Sequence, residues 1–289
     1  MTTLRHSTNS PVLVAPAEVK AWVIWFARLG YTAKATVFLV LGLLAAEATF
    51  ARGGKLTDQL GALQAIGQSP FGSLLLSILA LGLGSHALWQ ILLALLDLEH
   101  KGRTVQGLLL RAGFGISGLI YSGLAGAAVR ILLGLHNQSG EQRAEALTAQ
   151  VLAHPLGSWL VGIFGSVVAG LGLYQFYKLR RSRFLGDLRL DVMSRPAQRW
   201  VCESGRLGHT ALGTVMLLVG SFLIQAAIQL NPHDAGGVQQ ALQTLGNQPY
   251  GVWLLAAMAL GLMAYGSFTL MLARYANCLF VYCADAARR

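Results

Sequence analysis

Residues 27–31, Ala27-Arg28-Leu29-Gly30-Tyr31, recur as Leu110-Arg111-Ala112-Gly113-Phe114 and again as Gly205-Arg206-Leu207-Gly208-His209. Each copy reads small or apolar residue, Arg, apolar residue, Gly, ring, and each stands just ahead of a long apolar block. A second landmark follows each Arg by 42 to 44 residues: Pro70-Phe71-Gly72, Pro155-Leu156-Gly157 and Pro249-Tyr250-Gly251. It opens another apolar block, with proline in the first helical turn, where its missing N–H has no partner to lose. Self-similarity at a fixed period marks a repeat architecture. The chain therefore reads as three tandem copies of one two-helix unit.

The apolar blocks run near Ala33–Phe50, Phe71–Leu96, Leu108–Leu135, Leu156–Tyr177, Ala211–Leu230 and Tyr250–Leu272. Each is close to the ~20 residues that carry a helix across a ~30 Å hydrocarbon core. None alternates apolar with polar residues, which predicts helices and excludes barrel strands. Composition agrees. The 289 residues are 54% hydrophobic and 12% charged, with a mean hydropathy of +0.54. A soluble domain carries roughly 25% charged residues, so this chain has too little charge to cover a water-facing surface. The expected fold is an all-α integral membrane bundle, with six transmembrane helices as three tandem two-helix repeats in a pseudo-threefold arrangement. Two helices return the chain to its starting side, so the units share one orientation about an axis along the membrane normal. An irregular row of hairpins is the alternative.

The expected boundaries are a flexible N-terminal tail over 1–20, repeat 1 over 21–100, repeat 2 over 101–182, a basic cytoplasmic linker over 183–204, repeat 3 over 205–278 and a C-terminal tail over 279–289. The first twenty residues lack an apolar core of their own, so no cleavable signal peptide is read there. Inside the repeats, Leu56, Leu60, Leu63 and Ile66 recur at helical spacing before Gly67, and Val238, Leu242 and Leu245 before Gly246. Leu147 and Val151 echo them. These predict short amphipathic helices lying on the outer membrane surface.

A net charge of +10 invites a nucleic-acid partner, and the placement of the charges argues against one. Arg and Lys gather in every second connection. The richest, after the fourth block, holds Lys178, Arg180, Arg181, Arg183, Arg189, Arg195, Arg199 and Arg206. The intervening connections hold only Arg52, Lys55 and Arg143, with Arg130 near one helix end. This is the positive-inside pattern. It predicts a multi-pass protein of the cell membrane with both termini cytoplasmic. Cys202, Cys278 and Cys283 make no metal or disulfide spacing, and Cys202, in the most basic stretch, is expected to be reduced.

At these landmarks the chain resembles a bacterial family carrying a domain of unknown function in three tandem two-helix copies. The matching marks are the Arg-Leu-Gly-Tyr start followed by Lys34, the Arg-Ala-Gly-Phe and Arg-Leu-Gly-His starts, and the three Pro-x-Gly landmarks. The resemblance covers roughly Trp25 to Asn277. It departs at Ala35, where the family pattern calls for glycine. It implies the fold and a bacterial inner membrane, and brings no activity. Mitochondrial carriers also have three two-helix repeats, but their Pro-x-Asp/Glu-x-x-Lys/Arg motif is absent.

Three sets of residues are candidates for chemistry. Arg28, Arg111 and Arg206 sit at equivalent helix ends. A pseudo-threefold bundle would gather them into a ring for an anion or lipid phosphate; the plainer reading is that each anchors its helix at the headgroups. Glu47, Arg130 and Gln225 each lie 19 residues beyond the Arg of their unit, which predicts a polar layer paired across the axis, or else unrelated interfacial groups. His86 stands alone in the second block. It could relay a proton, and as a lone histidine it more simply bonds a neighbouring helix. Gln90, Gln175 and Thr269 are equivalents that read as interhelical glue. Lys34 has no basic equivalent and is a minor candidate. Gly113, Gly115, Gly118, Ser122 and Gly126, and Gly162, Ser166 and Gly170, read as small faces for close packing.

There is no Gly-Lys-Ser/Thr phosphate loop, no His-Glu-x-x-His and no Gly-x-Ser-x-Gly, and no carboxylate pair lies within an apolar block. The expectation is therefore no catalysis, no cofactor and no metal. The expected role is a scaffold or accessory subunit that binds membrane lipids or another membrane protein. The alternative is a small-solute or ion pathway along the repeat axis.

Overall fold

The computed structural model describes residues 17–50, 56–96, 105–135, 139–180 and 193–275, and among them there is no strand. Three units of long helix, short helix, long helix follow one another. They are α1 (Ala17–Phe50), α2 (Gln59–Gly67) and α3 (Gly72–Leu96); α4 (Val105–Leu132), α5 (Gly140–Leu152) and α6 (Gly157–Arg180); α7 (Arg195–Gln229), α8 (Val238–Gly246) and α9 (Gly251–Tyr275). The six long helices are each long and apolar enough to cross a membrane. The N-terminal tail up to residue 16, the Arg181–Arg183 run and the C-terminal tail lie outside the described residues.

The Pro-x-Gly landmark forms the same tight turn three times, because only hydrogen fits on its third residue. A Cβ on Gly72 would lie 2.1 Å from the Gly67 carbonyl oxygen. On Gly157 it would lie 1.9 Å from that of Val151, and on Gly251 1.9 Å from that of Gly246. The turn points the next helix back along the unit.

The strongest packing lies between units. The second long helix of each unit runs against the first of the next: α3 on α4, α6 on α7, and α9 back on α1. Without a hydrophobic drive between helices in lipid, such seams depend on small residues that let backbones approach. Each seam is built on one equivalent pair. Gly118 faces the Ala87 carbonyl at 3.2 Å, Gly213 faces the Gly172 carbonyl at 3.1 Å, and Gly266 faces the Ala35 carbonyl at 3.0 Å, measured from the Cβ each glycine lacks. Ala35 thus occupies the position held by Gly118 and Gly213 in the other units, and Gly266 supplies the space from the opposite helix. The α6–α7 seam is extended by Gly165, Ala169 and Gly220. Of the small faces read from the sequence, Gly118 makes a close contact, while Gly113, Gly126 and Gly170 face open space and Gly162 meets only Ala227.

The packing within units breaks the threefold pattern. In the first unit α1 crosses α3 where Gly82 meets Ala33 and Gly30 meets His86. In the third, α7 crosses α9 at the equivalent places, where Gly261 meets Ala211 and Gly208 meets Tyr265. In the second unit the pair equivalent to Ala33 and Gly82 is Ile116 and Val167. Two β-branched side chains stand where the other units have alanine and glycine. There α4 and α6 do not pack along their length, Gly113 has no neighbour within 4 Å, and Val167 is 45% exposed. The six long helices therefore form a ring in the order α4, α3, α1, α9, α7, α6, open on one side between α6 and α4. Half of α9's most apolar window is buried against 17% of that of α6, which places α6 at the edge of the opening.

The short helices close one end of the ring. Two of the three are buried in the bundle rather than exposed on its surface, while Leu147 of α5 is 55% exposed. Leu60, Leu63 and Ile66 of α2 are buried among α1, α3 and α4, Ala62 is buried against α1 and α9, and Ala241 and Leu242 of α8 are buried against α7 and α9. A nine-residue helix with one apolar face finds more partner surface in the mouth of the ring than in the headgroups. Their leading ends meet. Asp58 caps α2 by accepting from Gly61 N–H at 3.0 Å and abuts Gly140 at the start of α5, while the Glu141 carboxylate accepts from the Gln240 backbone N–H of α8. At the other end, the stretch expected as linker is helical from Arg195 onward, with Ser194 at the N-cap position, making no side-chain cap bond, and Pro196 in the first turn.

Candidate functional site

Polar side chains within the long helices mostly satisfy themselves. Thr36, Ser85 and Thr269 return their hydroxyls to the carbonyl four residues earlier at 3.0, 2.7 and 2.8 Å, the usual local solution in a helix. Gln90 and Gln175 act between units as expected. Gln90 Nε2 donates to Ser117 Oγ across the α3–α4 seam at 3.0 Å. With its proton on Nδ1, His209 donates to Gln175 Oε1 across the α6–α7 seam at 3.0 Å. Thr269 bonds its own helix.

Lys34 is satisfied from other helices, its ammonium hydrogen-bonding to the Tyr121 and Tyr265 hydroxyls. It extends from α1 toward the middle of the ring, and its ammonium stands 5.1 Å from the centroid of Tyr121 on α4 and 5.4 Å from that of Tyr265 on α9. This is cation–π range. The groups acting on it are the two tyrosines, with no carboxylate among them. Lys34 is half-buried. Six residues past Arg28, it lies about 9 Å further along the helix.

An aromatic cage surrounds it. His86 of α3 is 1% exposed. It stands edge-on to Tyr121 at 4.6 Å and to Tyr31 at 5.2 Å between ring centroids. Tyr265 meets Phe38 at 4.8 Å and His209 at 5.6 Å. Tyr31 with His86 and His209 with Tyr265 are the same pair in units one and three, with histidine and tyrosine exchanged. Unit two has Phe114 and Leu171 there. With Gln175 behind His209, all six long helices contribute. Both His86 ring nitrogens are buried without a hydrogen-bond partner, a condition that costs about 1–3 kcal/mol. Among the described residues no three His, Cys, Asp or Glu side chains gather to hold a metal.

The three equivalent arginines have three different uses. Arg111 forks onto the last turn of α3, donating from Nε to the Ala94 carbonyl at 2.8 Å and from Nη2 to that of Leu95 at 2.9 Å. Arg28 is half-buried, with Nε unpartnered. Arg206 is exposed, 3.5 Å from Glu203 one turn earlier.

Glu47, Arg130 and Gln225 are all exposed, and no ion pair joins Glu47 to Arg130. Glu47 shares its stripe with Leu43 and Phe50, which are 54% and 73% exposed. The expected layer across the axis is therefore corrected. Thirteen residues separate Lys34 from Glu47, which at 3.6 residues per turn carries Glu47 about 220° around the helix, away from the axis. Position within the repeat had been matched, but helical phase had not.

The site's principal residues were only partly visible beforehand. His86 was a candidate and Lys34 a minor one, while Tyr121 and the partnership of His209 with Tyr265 were missed. The available signal was phase: Lys34 shares a helical stripe with Phe38, Leu41 and Ala45, all three buried, so it had to point inward.

Comparison with known proteins agrees with the repeat. No solved structure matches the chain. The "Uncharacterized protein YxxB" of Bacillus subtilis (strain 168) is 35% identical over 254 residues, covering 88% of this chain and 91% of the relative. The model for a Domain of Unknown Function (DUF1206) matches three times in tandem, over residues 29–97, 112–181 and 207–276. With more than half of its length matched, the chain belongs to the DUF1206 family.

Proposed function

We propose that this protein is a non-catalytic membrane module that holds a lipid in the open side of its helix ring. It would sit in a bacterial cytoplasmic membrane with its basic connections in the cytoplasm, as the distribution of Arg and Lys predicts. The observation that carries the reading is the opening between α4 and α6, where Ile116 and Val167 stand in place of an alanine–glycine crossing. A gap between spanning helices faces acyl chains, and its apolar margins, including Leu160, Ile163 and Val167 of α6, are exposed.

The test replaces Ile116 with Ala and Val167 with Gly, copying the crossing of the other two units. The expected result is a closed second hairpin and loss of most co-purifying lipid, read by native mass spectrometry from mild detergent. Unchanged lipid retention in the double variant would rule the reading out. A small-solute or ion path along the axis is the second reading, supported by the accessible surface left on Lys34. Against it stands the cap of α2, α5 and α8. Flux through proteoliposomes separates the two, since a lipid-holding module leaks no more than empty vesicles.

A further inference from the structure

We propose that Lys34 is the head-group site for a monoanionic amphiphile, either the carboxylate of a fatty acid or the phosphodiester of an anionic phospholipid. The inference rests on the reading that lipid enters between α4 and α6, and it names the chemistry recognised inside. Three observations converge. The Lys34 ammonium lies within the ring with no carboxylate opposing it among the described residues, and an ionisable group at membrane depth calls for a counter-charge. The rings of Tyr121 and Tyr265 flank it at 5.1 and 5.4 Å and their hydroxyls accept from its ammonium, so each hydroxyl keeps its own O–H to donate to an anionic oxygen beside the ammonium. Behind Tyr121, His86 is 1% exposed with both ring nitrogens unpartnered, as expected of a polar site whose network is incomplete without a ligand.

Charge selects the class. A single positive charge balances a carboxylate or a phosphodiester. A phosphomonoester dianion would bring an uncompensated charge into an apolar ring. A zwitterionic lipid would set its own ammonium beside Lys34. Tyr121 belongs to α4, one edge of the opening, so an acyl chain attached to a head at Lys34 can leave the ring on that side.

The test is competition in native mass spectrometry on the purified full chain. The probes are oleate, phosphatidylglycerol and phosphatidylethanolamine, applied to wild type, Lys34→Met and Lys34→Arg. Wild type should retain oleate or phosphatidylglycerol at least tenfold better than phosphatidylethanolamine, and the adduct mass tells which source supplies the anion. Lys34→Met should lose that preference while still carrying lipid, and Lys34→Arg should keep it. If Lys34→Met does not fold, Tyr121→Phe with Tyr265→Phe takes its place, with a several-fold loss of preference expected. An anion preference that survives these variants overturns the head-group assignment and leaves the lipid-holding reading standing. Wild type that retains lipid without preference does the same. Wild type that retains no lipid of any class overturns both.

Discussion

At the scale of single residues, the glycine of each Pro-x-Gly landmark has a stricter requirement than its neighbours. Gly72→Ala drives a methyl group against the Gly67 carbonyl oxygen, and this contact is backbone on both sides. The expected cost is about 1–3 kcal/mol, seen as a lower melting temperature in detergent. Ala on Gly113, which faces open space, should leave stability unchanged or slightly raised. Leu230, at the end of α7, has φ 54°, a left-handed conformation that suits glycine. Leu230→Gly should stabilise by about 0.5–1 kcal/mol, measured the same way. Glu141 adds a pH dependence. Burial in the cap, and then the neighbouring Asp58, hold its carboxyl above the usual range, opposed by the Gln240 N–H. The folded state therefore holds this proton more tightly than the unfolded chain does. The sign follows: the contribution is present below the ordinary carboxyl pKa of about 4.5 and is lost as pH rises through the raised value. Amide exchange in α5, corrected for its intrinsic rate, should quicken across that window, and Glu141→Gln should remove the dependence. The landmark glycines could be read from the sequence because three copies repeat them. Leu230 and Glu141 could not, because their conformation and surroundings come from elements distant in the chain.

At the scale of elements, a long helix was legible wherever its apolar block was, and its ends were less so. The start of α7 reads as linker because arginines dominate it. Ser194 followed by Arg195-Pro196 is nonetheless a helix-start pattern, and the helix begins there. The short helices were legible as amphipathic, but their location was not. Their burial depends on the ring mouth, which no local pattern describes. The seams repeat at matched positions, so a substitution at one predicts its counterparts. Gly118→Leu, Gly213→Leu and Gly266→Leu each put a branched chain where backbone already lies about 3 Å away. All three should lower the yield of folded monomer on size exclusion. Leu on Gly126, which meets nothing within 4 Å, should not.

At the scale of the whole molecule, the threefold plan and its defect were both written in the chain, but only the plan was read. The defect needed three crossings to be aligned and their volumes compared. Paired cysteines would expose it, once the native cysteines are removed. Ala33→Cys with Gly82→Cys, and Ala211→Cys with Gly261→Cys, should cross-link under mild oxidation. Ile116→Cys with Val167→Cys should not, since bridging needs Cα atoms within about 7 Å. Equal cross-linking in all three units would mean that the ring is closed. The aromatic cage was the least legible feature, because its residues are spread over six helices that no local pattern brings together.

The seam between α1 and α9 also sets a schedule. Gly42 packs on Met263 and Ala259, so the first spanning helix finds its final partner only when the last has been made. At ~5–20 residues per second, α1 emerges roughly 10–45 s before α9 and must wait in the bilayer with its seam uncovered. A ribosome that stops before residue 251 leaves a chain whose Ala35 and Gly42 face has nothing to meet, a form that membrane quality control can recognise and degrade. Completing the ring thus waits on α9, and a copy that lacks it exposes its own incompleteness.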